Sequence, residues 1–369
     1  MRKTLLALII GLMIVSLTQV YAQRKSNQHL FDPLFEFQGN PYRSAAGIPG
    51  EAYWQQKADY EIQAELDDQN HQISGKVKII YTNNSPDALG FLWLQLEQNR
   101  YKADSRGELT QQLGGDNDRY QGAIDGGYDI KSVKVKSGTG AAYDAKYVVT
   151  DTRMQIQLNE ALKAKGNKLE IEIVYTFKIP PFGSDRMGRV ETQKGWVYEI
   201  AQWYPRMSVY DDLNGWNNLP YLGAGEFYCE YGDYDYKVTV PYDHIVGGSG
   251  ELQNPQEVLT KEQQQRYAAA AKSDKTIAIV SANEVGNTDK TRPVKNGKIT
   301  WHYKMKNTRD VAWASSKAFV WDAAVINLPS GNKAMAQSVY PVEVARNNAW
   351  GRSTEYTKAA IEHYSNMWF

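Results

Sequence analysis

The sequence has little cysteine and no excess of charge of either sign. Its 369 residues include one cysteine, Cys229, which excludes an intramolecular disulfide and a zinc site built on several thiolates. Lys and Arg together number 42, as do Asp and Glu. The chain therefore lacks the basic excess with which proteins neutralise phosphates, and we expect no nucleic-acid partner.

Common catalytic motifs are also missing from the sequence. The five histidines are far apart, and no His-Glu-x-x-His pair occurs. Residues 247–250 (Gly-Gly-Ser-Gly) do not form a Gly-x-Ser-x-Gly nucleophile elbow. Residues 116–118 (Asp-Asn-Asp) begin like a calcium loop, but Tyr120 stands where the next oxygen ligand belongs. We therefore predict no catalytic residue and no metal ligand in this chain.

A long hydrophobic run occurs at the N-terminus and nowhere else. Arg2 and Lys3 precede an uncharged stretch over residues 4–22, and residues 20–22 (Val-Tyr-Ala) fit a signal-peptidase site. This pattern predicts a signal peptide over residues 1–22, cleaved before Gln23, and an exported protein that is periplasmic or extracellular. The alternative is an uncleaved membrane anchor, which is the sole membrane contact that we expect.

Alternation of apolar and polar residues dominates the chain from Tyr53 onward. An alternating run over residues 60–66, a turn at 67–70 and a second run over 73–81 predict a β-hairpin. Many similar runs, separated by Gly, Asn and Asp, predict a mainly β fold built as a large antiparallel sandwich or twisted sheet. We place Cys229 in one of these strands, as a small buried apolar residue.

Helical patterns and changes in composition suggest how the chain is divided. Asn254 and Pro255 supply a cap and a first-turn residue for a helix over 257–272, and a second helix is predicted over 353–369. We predict a signal peptide (1–22), an extended arm (23–52), a β domain (53–306), and the beginning of a helical domain (307–369).

Four groups of segments carry a resemblance to a known family. They are residues 53–62, 81–86, 92–96 and 98–99; then 198–207, 209–212 and 215–216; then 225–228, 232–235, 240–241 and 250–252; and finally 309–314 and 338–341. The second group contains Gln-Trp-Tyr-Pro-Arg and the fourth Arg-Asp-Val-Ala-Trp-Ala. In this order they resemble the zinc aminopeptidases of the aminopeptidase N family, the gluzincins, in their secreted, Bacteroidetes-like form.

The resemblance implies a saddle-shaped antiparallel β domain that packs on a thermolysin-like catalytic domain, which would begin at residue 307. The zinc-binding His-Glu-x-x-His helix and the downstream glutamate ligand of that family are missing, and the apolar ending at residues 367–369 indicates truncation before them. Zinc is therefore expected in a full-length parent, where it would activate water. Whether this chain is an enzyme stays open, and alone we expect it to be inactive.

The resemblance also implies substrate-binding residues. In such enzymes the β domain offers a Gln or Glu oxygen to the free α-ammonium of a peptide, a group with three donors and no acceptor. Gln202 is the first candidate and Glu199 the second. Tyr204 and Arg206 are expected to line the same cleft, although Arg206 could instead pair with Asp211 or Asp212.

The expected partners are therefore peptides with a free N-terminus. The alternative is a non-catalytic, aromatic-rich β-sandwich that binds peptides or glycans at the cell envelope, because exposed Trp and Tyr rings often serve such recognition.

Overall fold

The computed structural model describes residues 39–110, 126–181, 186–222, 228–346 and 349–368. The predicted signal peptide and residues 23–38 of the predicted arm lie outside this part, as does the segment 116–118. Two compact units are present, Met1–Trp54 and Gln55–Phe369. Residues 39–54 of the first unit form turns with a bridge between Arg43 and Pro49. The features that follow belong to the second unit.

Strands account for most of the regular structure of the second unit, so the predicted mainly β class is confirmed. In chain order they are β1 Lys57–Asp67, β2 Gln72–Asn83, β3 Leu89–Gln95, β4 Asp129–Ser137, β5 Tyr143–Asp144, β6 Lys146–Thr150, β7 Arg153–Leu162, β8 Asn167–Lys178, β9 Gly188–Thr192, β10 Gly195–Ile200, β11 Arg206–Met207, β12 Tyr210–Asp211, β13 Gly215–Trp216, β14 Gly232–Pro241, β15 Ile245–Gly248, β16 Glu251–Leu252, β17 Ile277–Val280, β18 Lys298–Thr308, β19 Trp313–Ser316, β20 Phe319–Asn327 and β21 Lys333–Pro341.

The largest sheet has eight strands in the order β16-β18-β14-β1-β2-β8-β4-β5. All its neighbours are antiparallel except β1 and β14, which run parallel with Tyr60 opposite Tyr234. Three smaller sheets have the orders β15-β19-β10-β9, β11-β3-β7-β6 and β17-β20-β21, and β12 pairs with β13. Strands on the two sides of the predicted boundary at residue 306 pair with each other, since β10 pairs with β19 and β17 pairs with β20. The predicted domain boundaries stay predictions.

The helices are short except for the last. They are α1 Arg106–Leu109, α2 Pro255–Val258, α3 Lys261–Ala270, α4 Thr288–Thr291 and α5 Ser353–Trp368, with 3-10 turns at Glu97–Tyr101 and Val342–Val344. Within the described ranges, none of the helices combines the length with the apolar character that crossing a bilayer demands.

The predicted helix over 257–272 is in fact two helices, α2 and α3. The helix is interrupted between them because Thr260 begins a new helix with a capping box. In this box the Thr260 hydroxyl accepts a hydrogen bond from Gln263 N, and the Thr260 N–H donates one to Gln263 Oε1. Asn254 occupies the N-cap position of α2, as predicted, but its side chain makes no capping hydrogen bond. Its side chain instead donates to Thr300 O and accepts from His302 N, which ties the start of α2 to strand β18.

The predicted hairpin over residues 60–81 is confirmed as β1 and β2. Its register is regular from Lys57 opposite Thr82 to Asp67 opposite Gln72, and Tyr60, Ile62, Ala64 and Leu66 are buried as the alternation requires.

The placement of Cys229 was wrong, because this residue lies before β14, outside any strand, and is partly exposed.

Helix α5 packs on the sheet β17-β20-β21 with its polar side. Thr354 donates to the buried carboxylate of Asp322 on β20, and Lys358 Nζ donates to Val325 O at 2.8 Å. The opposite side is apolar and exposed, with 54% of Tyr356 and 59% of Tyr364 accessible to solvent. This arrangement reverses the usual orientation of an amphipathic helix.

Candidate functional site

The segment from β10 to β11 carries all four predicted site residues. Strand β10 belongs to the sheet β15-β19-β10-β9 and β11 to the sheet β11-β3-β7-β6, so the chain changes sheets between them. The change occurs at Gln202, whose φ of 52° lies in the left-handed region that residues other than glycine seldom adopt. The Gln202 carbonyl is fixed by Gln98 Nε2 at 2.8 Å and by the Tyr128 hydroxyl at 3.3 Å.

Gln202 itself is 8% exposed. Within the described ranges its side-chain amide has no hydrogen-bond partner, although its backbone carbonyl has two. Sequence reasoning predicted a carboxamide that reaches into a cleft. The structure instead leaves little of this residue accessible to solvent.

Arg206 is buried and forms ion pairs with the carboxylates of Glu97 and Asp310. Its Nε and NH2 donate to Glu97 Oε1 at 3.0 and 2.5 Å, and NH1 donates to Asp310 Oδ2 at 2.7 Å. The predicted partners Asp211 and Asp212 do not form this ion pair. Burial alone would lower the pKa of the guanidinium, but the Glu97 and Asp310 carboxylates raise it well above its usual value, so the cation is retained.

Tyr204 is likewise buried and belongs to the same network. Its hydroxyl donates to Asp310 Oδ1 at 2.7 Å and lies 3.2 Å from the hydroxyl of Tyr234. The ring of Tyr60 stacks on Tyr234 at 4.7 Å and meets Tyr204 edge-on at 5.3 Å. We call Glu97, Tyr204, Arg206, Tyr234 and Asp310 the Arg206 cluster. It brings together residues from three of the four segment groups of the sequence, and Glu97 lies between two segments of the first group, 92–96 and 98–99.

Glu199 differs from these residues because it is exposed. It projects from β10 into an open cleft of about 440 Å³ between the sheets β15-β19-β10-β9 and β17-β20-β21. The walls are mainly apolar and include Ile200, Gly248, Trp313, Trp321 and Val339, and one cation, Arg186, also lines the cleft. We call this the Glu199 cleft. A carboxylate on an apolar wall is a suitable group for binding a cation that also carries an apolar portion.

A second buried polar pair lies between β15 and β19. His244 Nδ1 is 2.9 Å from Ser315 Oγ, and both side chains are buried. Burial lowers the pKa of His244 to about 4, so the ring is neutral at physiological pH. A His–Ser pair is the combination that activates a serine nucleophile in some enzymes. Here neither side chain reaches the surface, so we assign the pair a structural role as a hydrogen bond between buried polar groups.

The structure thus separates the predicted site residues. Glu199 lines the cleft, whereas Tyr204 and Arg206 are buried in the Arg206 cluster, and Gln202 lies between them, where the chain changes sheets. Sequence reasoning missed Glu97 and Asp310. The signal for both was a carboxylate within or beside a resembling segment, with an apolar neighbour on one side, Leu96 or Val311, which indicates partial burial and the need for a partner.

Among the described residues there is no group of three or more His, Cys, Asp or Glu that could hold a metal ion. The donor set for a zinc ion is therefore not assembled in this part of the chain.

Comparison with known proteins found solved structures but no family model and no curated protein. Two similar structures are M1 zinc metallopeptidases from Deinococcus radiodurans. One is a mutant bound to a Tyr-Ser-Ala substrate, 10% identical over 80% of this chain and 50% of that chain, with a TM-score of 0.42. The other is 11% identical over 80% and 49%, with a TM-score of 0.39.

A third is a two-domain M1 zinc metallopeptidase mutant bound to L-tryptophan, 10% identical over 84% of this chain and 54% of that chain, with a TM-score of 0.43. This chain therefore spans about half the length of the solved structures that it matches. At such low identity the similarity concerns the fold alone.

Proposed function

We propose that this chain is the N-terminal portion of an exported zinc-dependent aminopeptidase. In this proposal the chain holds the free N-terminus of a peptide, and chemistry at zinc is supplied by polypeptide outside it. The four ordered segment groups of the sequence support the proposal. The convergence of residues from three of these groups on the Arg206 cluster supports it further, because residues distant along the chain meet there in one hydrogen-bonded network.

The observation that carries the proposal is the position of Glu199. A peptide N-terminus is an ammonium attached to a carbon that bears a side chain, so a site for it combines an oxygen acceptor with an apolar surface. The Glu199 cleft has both, since the exposed carboxylate stands beside Ile200, Trp313 and Val339. Glu199 therefore becomes the first candidate for the ammonium anchor.

Gln202 is the second oxygen that we propose for the ammonium. Its side-chain amide lacks a partner within the described ranges, and it follows Glu199 by three residues, at the change of sheet. In this proposal Tyr204 and Arg206 do not contact the peptide. They hold the change of sheet in place, because Arg206 joins Glu97, which follows β3, to Asp310, which precedes β19.

Zinc would activate water in the full-length enzyme. The described residues do not provide its ligands, so we assign no step of the reaction to them. Their contribution is to bind and orient the peptide N-terminus and to exclude water from it.

Binding to the chain itself tests the proposal without any need for activity. Phenylalanine amide should bind at least about tenfold more tightly than N-acetyl-phenylalanine amide, a difference of about 1.4 kcal/mol, because acetylation removes the ammonium. Chemical-shift changes of the protein amides would measure both dissociation constants. Equal affinities would contradict the proposal and support the alternative binding module.

Three variants locate the contact. Glu199→Gln should remove most of the preference for the free amine, whereas Glu160→Gln, on the exposed surface of β7, should leave it unchanged. Gln202→Asn withdraws the carboxamide while keeping a residue that tolerates positive φ, and it should weaken the preference less than Glu199→Gln. If all three variants kept the full preference, the ammonium site would lie elsewhere.

A further inference from the structure

Strand β6 is an edge strand with an unusual degree of exposure. It lies at the end of the sheet β11-β3-β7-β6 and pairs with β7 along its whole length, from Lys146 opposite Gln157 to Thr150 opposite Arg153. All five of its residues are exposed, which is true of no other strand in the described ranges. The backbone groups on its outer side have no strand partner among the described residues.

The sequence of β6 does not protect this edge. Natural proteins blunt exposed edges with prolines, bulges or charges in the middle of the strand. Here the register with β7 is regular, and the centre consists of Tyr147, Val148 and Val149, which are 37%, 56% and 39% exposed. Aromatic and β-branched residues are those that pair best across strands. The single charge, Lys146, stands at the start of the strand.

The order of the five residues in β6 favours antiparallel pairing with a second copy of the same strand. When the strand is laid antiparallel beside a copy of itself about Val148, each Tyr147 faces a Val149, and each Lys146 faces a Thr150. Aromatic and β-branched residues thus meet twice, and no like charges meet. A parallel arrangement would instead place Lys146 beside Lys146. An antiparallel pair is also a closed two-fold arrangement, since the free edge of β6 in each copy is used by the other copy.

We propose that β6 is a dimerisation strand that pairs antiparallel with β6 of a second copy of this chain, joining two four-stranded sheets into one of eight strands. This inference is independent of the proposed function. Five residues bury less surface than the roughly 1,200 Å² of a stable interface, so the dimer should form at about 100 µM and dissociate near about 1 µM.

Sedimentation equilibrium across this concentration range tests the proposal. The chain should change from monomer to dimer, and Val148→Lys should remain monomeric, because it places two ammonium groups opposite each other on the two-fold axis. The matched control is Phe91→Lys, an exposed apolar residue of β3 in the same sheet, two strands away from β6. It should dimerise like the parent, and circular dichroism should show both variants folded.

Cross-linking gives a second, independent measurement. In a Cys229→Ser background, Val148→Cys should form a disulfide-linked dimer under mild oxidation, because residue 148 meets itself. Thr150→Cys should not, since it faces Lys146. A parent chain that stays monomeric at about 100 µM overturns the proposal. So does a dimer that survives Val148→Lys or is lost in Phe91→Lys, and so does equal cross-linking at residues 148 and 150.

Discussion

Polar side chains hold together two regions of this molecule in opposite ways. In the Arg206 cluster, the side chains of Arg206 and Glu97 are 3% and 0% exposed, and that of Asp310 is 38% exposed. Where α5 meets β20, Lys358 and Glu362 form an ion pair at 2.6 Å, but the partner Asp274 is 75% exposed. The Arg206–Glu97 pair is therefore shielded from water, whereas the ion pairs of Lys358 lie at the boundary with solvent.

The difference shows that residue type does not decide what an ion pair contributes. When one member of a buried ion pair is removed, no water can solvate the charge that remains. Removing one partner therefore lowers the free energy of unfolding by far more than the intact pair contributes to it. At the α5 contact, water replaces a lost partner and salt screens the remainder. The Arg206 cluster should therefore respond strongly to substitution and α5 weakly.

Arg206→Met provides the largest test of this comparison. It keeps much of the side-chain volume but leaves Glu97, which is fully enclosed, without its cation. We expect the free energy of unfolding to fall by about 3 to 5 kcal/mol, measured by urea denaturation followed through tryptophan fluorescence. A loss below about 1 kcal/mol would mean that Glu97 is already protonated in the folded protein.

His244 extends the comparison to pH. Its folded pKa of about 4 lies below the usual value of 6.5, so between these values the unfolded state binds more protons. Stability should therefore be complete above about pH 6.5 and decline by about 3 kcal/mol as the pH falls to about 4. His244→Gln should abolish this contribution. The measurement is the difference between the two unfolding free energies across that window, and a constant difference would contradict the burial of a neutral ring.

Lys358→Met should have the smallest effect. Its ammonium pairs with Glu362 and the exposed Asp274, so we expect a loss of about 1 kcal/mol or less, which shrinks further in 1 M salt. Urea denaturation at low and high salt measures it. A loss in the free energy of unfolding as large as that of Arg206→Met would show that the α5 contact is as shielded from water as the Arg206–Glu97 pair. The two regions would then not differ in the way described.

The local parts of this fold were predictable from the sequence, whereas its long-range parts were not. The β1–β2 hairpin follows from alternation because its two strands are adjacent. The break between α2 and α3 was missed because the capping box at Thr260 competes with a run of good helix formers. For Arg206 the sequence suggested nearby aspartates, and the actual partners, Glu97 and Asp310, are each more than 100 residues away along the chain.

The sequence predicted which segment carries the candidate site, but not which residue of that segment lines the cleft. The stretch from Glu199 to Arg206 was identified by resemblance, but the order of preference within it depends on where the chain changes sheets. The left-handed φ at Gln202 makes that change, and no pattern of hydrophobicity indicates it. As a result Glu199, the second candidate from the sequence, is the residue that lines the cleft, and Gln202 is largely buried.

The parallel pairing of β1 with β14 has a consequence for how the molecule is made. The pairing places Tyr60 beside Tyr234 in the interior of the eight-stranded sheet. During synthesis β1 emerges early, and its inner edge must wait unpaired until residue 241 has been translated. Contacts between such distant residues slow folding and leave intermediates open to aggregation. The timing of synthesis, as well as the final contacts, therefore decides the yield of native protein.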